Sequence, residues 1–168
     1  MRSAEDVKAL IRTAFTTALY PGDDQLRGSD QGDEPFLLES EFRGKSDWRS
    51  IDAEFLDQAP DGFGSALSFF SQAAFRFYLP AYLIADLDGR LELVDPVFHL
   101  THSLSGTTRH VDVGLEAWTR RRMSAFTPAE VTAIIAYLEW KAGTTQVDSE
   151  RTSIDQSLNH YWRPRTSS

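Results

Sequence analysis

Val7, Leu10, Ile11, Ala14, Phe15, Ala18 and Leu19 recur at spacings of three and four, so they share one face of a helix of about four turns. Ser3 stands just ahead of it, with Glu5 and Asp6 in the first turn, where a side-chain cap and negative charge suit the exposed N–H groups. The helix is expected to stop at Tyr20, because Pro21 disfavours helical geometry in the residue before it and Gly22 readily takes a left-handed conformation. Asp23 or Asp24 is then expected to cap a short turn through Gln25 and Leu26.

Further along, residues 27–44 are acidic and glycine-rich, and the apolar piece PFLLESEF within them suits a strand or a helix equally. Ser46 is expected to cap one amphipathic helix through DWRSIDAEFLDQ, with Trp48, Ile51 and Phe55 on one face and APDGFGS closing it. Ser71 or Ser65 is expected to open the central segment, whose residues 73–87 are apolar nearly all round, as in a helix buried on most sides, and Pro80 is expected to kink or divide it. Asp88 and Gly89 between alternating leucines leave room for a small hairpin. Asp95 and Pro96 open a short helix, GTTRHVDVG reads as loop, and LEAWTRRRMSAF as helix. Thr127, Pro128 and Glu130 form a capping box ahead of a helix that Gly143 is expected to end. A tail helix is expected over 148–162, with Ile154, Leu158 and Tyr161 aligned, and with Arg163, Pro164 and the serines after them frayed.

Composition narrows the classes of function. The chain has 168 residues, enough for one domain with a real core, and no linker divides it. With no cysteine it makes no disulfide or thiolate site, which fits a reducing, cytoplasmic setting. The N-terminal stretch carries acids among its apolar residues and does not read as a signal peptide. Residues 66–87 are long and apolar, but Arg76, Pro80 and Asp86 within them point to a core helix instead of a membrane span. The 17 Lys and Arg against 25 Asp and Glu give a net charge of −8, which disfavours nucleic acid and suits a basic protein partner.

Four stretches together, AFTTALYPGDDQL, FRGKSDWRSID, LSFFSQAAFRFYLPAYLIADL and FTPAEVTAIIAYLEW, resemble a family of short bacterial proteins classed as a domain of unknown function. The resemblance covers about residues 14–142, rests most on YPGDD and FYLPAYLIADL, and implies no reaction, cofactor or catalytic residue.

Candidate chemistry therefore rests on the residues. Asp23 and Asp24, with Asp86 and Asp88, are a conceivable oxygen cage for magnesium or calcium, although adjacent aspartates at a helix start serve equally as caps. Tyr78, Tyr82 and Asp86 share one face of the central helix, and YPGDD is expected to dock near this polar seam. The plainer reading of the same tyrosines is a hydrogen-bonded core. His99 and His102, with Asp95 and His110 near in sequence, have imidazole spacing for a metal or a base but no second motif. Arg120, Arg121 and Arg122 are the one basic cluster, suited to a phosphate or to a helix C-terminus. No nucleophile elbow, serine-lysine motif or phosphate-binding glycine loop is present.

The sequence thus predicts an all-α or nearly all-α, compact single-domain bundle of five to seven helices around a buried, proline-interrupted central helix, with no cofactor. Its expected function is a protein–protein interaction or regulatory module, such as an immunity-type inhibitor of a basic partner, with Trp48, Trp118 and Trp162 as anchors if exposed. The candidate binding residues are Tyr20, Asp23, Asp24, Tyr78, Tyr82 and Asp86. The alternative is a small metal-dependent hydrolase built on the Asp23 and Asp24 region.

Overall fold

In the computed structural model, which describes residues 1–58, 66–106 and 113–167, the chain is mostly helical. The described residues contain nine α-helices, more than the five to seven expected: α1 (Ala4–Ala14), α2 (Glu34–Phe42), α3 (Ala53–Leu56), α4 (Ala66–Phe69), α5 (Gln72–Leu87), α6 (Pro96–Thr101), α7 (Val113–Met123), α8 (Pro128–Thr144) and α9 (Asp148–Ser157). They form no strand, only one isolated antiparallel bridge between Arg27 and Phe70. The expected loop at GTTRHVDVG and the closure at APDGFGS fall largely outside the described residues.

The chain divides into two compact units. One comprises Met1–Ala14 and Val97–Ser168, the other Phe15–Pro96. In the first unit α1 and α9 both pack on α8. The α1 start is as expected: Ser3 Oγ accepts the Asp6 N–H at 3.2 Å while the Asp6 carboxylate accepts the Ser3 N–H at 3.1 Å. Its end is not, because the chain tightens into a 3-10 turn at Phe15–Thr17, which leaves Leu19 82% exposed instead of in the core stripe. Thr127 and Glu130 complete the expected capping box of α8, which continues one residue past Gly143. After α9 the chain does not fray. It passes through a π turn at Leu158–Trp162 into a 3-10 turn at Arg163–Thr166, where the Arg165 guanidinium donates to the carbonyls of Met123 (2.7 Å) and Phe126 (3.2 Å).

In the second unit α5 is the buried centre, with Phe75, Tyr78, Leu79, Tyr82 and Leu83 fully enclosed. Ser71 caps it, accepting the Ala74 N–H at 3.1 Å, and the helix runs through Pro80 undivided. PFLLESEF resolves as α2, and the single helix expected after Ser46 is instead two short pieces. Asp47 accepts the Arg49 N–H to start a 3-10 turn at Trp48–Ser50, and Asp52 accepts the Phe55 N–H to start α3. Each aspartate begins one piece, which a face-by-face hydrophobic count does not register.

Asp88 and Gly89 make a helix cap, not a hairpin turn. Arg90 N–H reaches back to the Ala85 carbonyl at 3.0 Å and Gly89 N–H to that of Asp86 at 2.9 Å, with Gly89 at φ +67°, the paired bonds of a left-handed helix terminus. The amides that a hairpin needs are taken elsewhere: the Asp57 carboxylate accepts the N–H groups of Glu92, Leu93 and Val94 at 2.8 to 3.0 Å. Burial raises the Asp57 pKa, but these three bonds outweigh it and leave the group below its ordinary value of 3.8. The stability it supplies is accordingly present above the ordinary carboxylate range and lost as pH falls through it. Asp57→Ala is expected to cost about 2 kcal/mol and Asp57→Asn about half of that, with the pH dependence below about 4 flattened in both. Urea unfolding at pH 7 and pH 3.5 reads this, and equal losses at both pH values would show that the carboxylate charge is not what holds the segment.

Candidate functional site

Two arrangements in the second unit bring predicted site residues together. The first answers what YPGDD does. Asp23 does not cap the 3-10 turn Asp23–Gln25 that it opens; that turn has no side-chain cap. Its carboxylate instead accepts the Tyr20 hydroxyl and, at 2.8 Å, the N–H of Gly44, 21 residues away. Gly44 sits at φ +78° just past α2, a conformation that favours glycine. The next carbonyl, that of Lys45, accepts the Tyr78 hydroxyl at 2.7 Å. The Tyr20 ring meets Phe77 edge-on with centroids 5.6 Å apart. Thus YPGDD, FRGK and the start of the central apolar segment lock one turn of backbone from both sides.

Below this clamp the chain is stitched to the start of α5. Gly28 N–H donates to the Phe69 carbonyl and Ser71 N–H to that of Leu26, both at 2.8 Å, and Ser71 Oγ donates to Gln25 O at 2.6 Å. A Cβ on Gly28 would lie 2.6 Å from the Phe70 carbonyl oxygen, so only glycine fits there without a shift.

The electrostatics of the clamp are those of architecture. The hydrogen bond from Tyr20, then that from Gly44, holds the Asp23 carboxyl below its usual range, while burial, then the neighbouring Tyr20 and Asp23, pushes the Tyr78 phenol up. At neutral pH Asp23 is an anion and both tyrosines are protonated, which leaves neither poised to exchange a proton. Asp24 is exposed beside the clamp, and Asp86 lies two turns beyond Tyr78 along α5, about 12 Å by the helical rise. Among the described residues no three His, Asp or Glu side chains converge in a group able to hold a metal ion.

The second arrangement is a pocket of ≈ 60 Å³ enclosed by α2, α3, α4 and α5. Leu38, Phe42, Phe55, Leu56 and Phe69 make its apolar walls, and Glu34, Leu37 and Glu41 of α2 and Gln58 its polar and open side. Tyr82 lines it from α5, fully buried, and its hydroxyl has no hydrogen-bond partner among the described residues. Burial, then Glu41, then Tyr78, pushes the Tyr82 phenol well above its ordinary value, so the group stays a neutral hydroxyl. Buried tyrosine hydroxyls normally find a partner, and this one, on a residue that lines a cavity, has none among the described residues. Glu34 and Glu41 take part in no ion pair among the described residues, unlike Glu39 on the same helix, which pairs with Arg27 and Arg43.

The remaining candidates are Trp48, Asp88 and Asp95 in the second unit and the described histidines, the three arginines, Trp118 and Trp162 in the first. Burial, aided by Arg122 and His102, pushes His99 down to about 4, so it is neutral at pH 7, while His102 stacks on Phe98 at 4.7 Å. His110 lies outside the described residues. The three arginines of α7 part company: Arg120 pairs with Glu116 at 3.0 Å, Arg121 is exposed, and Arg122 is buried, which lowers its pKa to about 10. Of the expected aromatic anchors, Trp48 and Trp162 are buried and only Trp118, 52% exposed, reaches the surface.

A family model described as "Family of unknown function (DUF6714)" matches residues 3–166. The chain belongs to this family. The DUF6714 match extends well beyond the 14–142 expected from the four stretches, taking in α1 from its cap and the tail through Thr166. No similar curated protein and no similar solved structure was found. Membership therefore brings no residue roles, and those of this DUF6714 chain rest on its geometry. No helix among its described residues is long and apolar enough to cross a membrane.

Sequence reasoning missed the pocket, though a signal was there. Glu34, Leu37, Leu38 and Glu41 fall at i, i+3, i+4 and i+7, a single helical face with an acid at each end and leucines between, legible once PFLLESEF is taken as a helix.

Proposed function

We propose that this DUF6714 protein is an interaction or regulatory module that receives a basic segment of another protein in the cytoplasm, in the manner of an immunity-type inhibitor. The observation that carries this reading is the pocket beneath α2, where Glu34 and Glu41, which form no ion pair among the described residues, flank apolar walls and a Tyr82 hydroxyl with no hydrogen-bond partner among them. Apolar anchoring inside a charged rim is how small interfaces combine affinity with orientation. Leu37, 57% exposed at the rim, and Phe36, 47% exposed beside it, extend the apolar area outward. The net charge of −8 supports a basic partner, since complementary fields steer the encounter.

The test is affinity capture of the tagged full-length chain from lysate of its own host, at low and then high salt, beside the double variant Glu34→Lys, Glu41→Lys. A stoichiometric basic protein is expected on the wild type, lost at high salt and about tenfold depleted on the variant. Equal recovery on both chains, or capture of nothing on either, would overturn the reading.

A further inference from the structure

The chemistry of the pocket names the side chain that enters it. Three features must be met at once: apolar walls from Leu38, Phe42 and Phe55, a buried hydroxyl on Tyr82 that lacks a partner among the described residues, and the carboxylate-bearing Glu41 in the lining of the same pocket. An aliphatic or phenyl anchor satisfies the walls and leaves the hydroxyl and the carboxylate as they are. A neutral alcohol answers the hydroxyl and not the charge. An arginine brings a rigid, planar five-donor fork; the Glu41 carboxylate meets one edge of it, but the single Tyr82 hydroxyl leaves donors on the other edge without acceptors. An ammonium on a flexible hydrocarbon stem meets all three, donating to Tyr82 Oη and to Glu41 while its methylenes lie against the walls.

Size agrees with this. A volume of ≈ 60 Å³ accommodates about four to six water-sized groups, the length of a lysine side chain and too little for a cofactor. The same aromatic walls already accept an ammonium from within the chain, as Lys45 Nζ lies 4.3 Å from the centroid of the Phe55 ring. That face being taken, the Tyr82 and Glu41 side is where a second ammonium finds acceptors.

We infer that the pocket between α2, α3 and α5 is a lysine subsite: it takes one lysine side chain of the partner's basic segment, with Tyr82 Oη and the Glu41 carboxylate as acceptors. This rests on the interaction reading above and adds to it the residue that is read.

The probe is n-butylammonium, a lysine side chain without its backbone, titrated into the isotope-labelled full-length protein and followed by two-dimensional NMR. n-Butylguanidinium, 1-pentanol and 1,4-diaminobutane serve as comparisons. Shift changes are expected at Leu38, Phe42, Phe55 and Tyr82, saturating in the millimolar range, with guanidinium and pentanol each about tenfold weaker. Tyr82→Phe is expected to weaken butylammonium about tenfold and Glu41→Gln about threefold. Tyr82→Phe is also expected to melt at or above the wild-type temperature, because it removes a buried hydroxyl that has no partner among the described residues. Folding failure therefore does not obscure the comparison. Pentanol binding as well as butylammonium, shifts spread over the acidic surface, or an unchanged affinity in Tyr82→Phe would each overturn the assignment. So would diaminobutane binding a hundredfold more tightly than butylammonium, which would assign the pocket to a free polyamine. Capture of the partner without seating of butylammonium would sink the lysine subsite and leave the interaction reading standing; seating without capture would remove the partner from both.

Discussion

Trp162→Ala is expected to lower the unfolding free energy by about 4 kcal/mol, although residue 162 stands in a stretch that reads from sequence as a tail. The indole is fully enclosed, its Nε1 donates to the Leu100 carbonyl at 2.9 Å, and its ring meets Tyr161 edge-on at 4.9 Å and Phe126 at 6.3 Å. Truncation removes the largest fully buried side chain of the chain, leaves a cavity and strips a buried carbonyl of its donor. Trp162→Phe, which keeps most of the packing and loses the hydrogen bond, is expected to cost about 2 kcal/mol. Denaturant unfolding at constant slope separates the two, and a loss below about 1 kcal/mol in the alanine variant would mean that the 158–166 segment is peripheral to its unit.

The difference between that segment as read and as folded is instructive. Periodicity identified Ile154, Leu158 and Tyr161 as aligned, and all three are buried. What it does not carry is the π turn that rotates Trp162 inward, or the bonds from Arg165 to carbonyls some forty residues earlier. Elsewhere the same division holds. Ser3, Ser71 and the Thr127–Glu130 box are legible because a cap and its target lie within three residues. Asp23, which reaches Gly44, and Asp57, which reaches residues 92 to 94, are ordinary turn aspartates in sequence, and their targets are set by packing. Asp88 and Gly89 show the limit from the other side: a left-handed glycine serves a hairpin and a helix terminus alike, and the competing claim of Asp57 on the downstream amides decides between them. Of the six candidate binding residues, Tyr20, Asp23 and Tyr78 meet in the clamp. Tyr82 belongs to the pocket, and Asp24 and Asp86 lie apart from the clamp's hydrogen bonds.

Phe42→Ala is expected to be comparably costly in the other unit, about 4 kcal/mol, and to tie the clamp to the pocket. Phe42 ends α2 almost wholly buried, and its ring is the centre of an aromatic cluster with edge contacts to Tyr78 at 4.8 Å, Phe70 at 4.9 Å and Phe55 at 5.1 Å. Such pairs add to area burial because the ring edges are positive and the faces negative. Tyr78 is at the same time the clamp's donor to Lys45, and Phe42 and Phe55 are pocket walls, so one ring supports both arrangements. Phe42→Leu, which keeps much of the volume and none of the aromatic geometry, is expected to lose about 1.5 kcal/mol and to weaken butylammonium only slightly. Phe42→Ala should fold at low temperature, with the amide exchange of Gly44 and Lys45 accelerated as the clamp loses its backing. Loss of stability without faster exchange at Gly44 would show that Asp23 and Tyr78 hold that turn by themselves, and that the clamp and the pocket are separate devices sharing a helix.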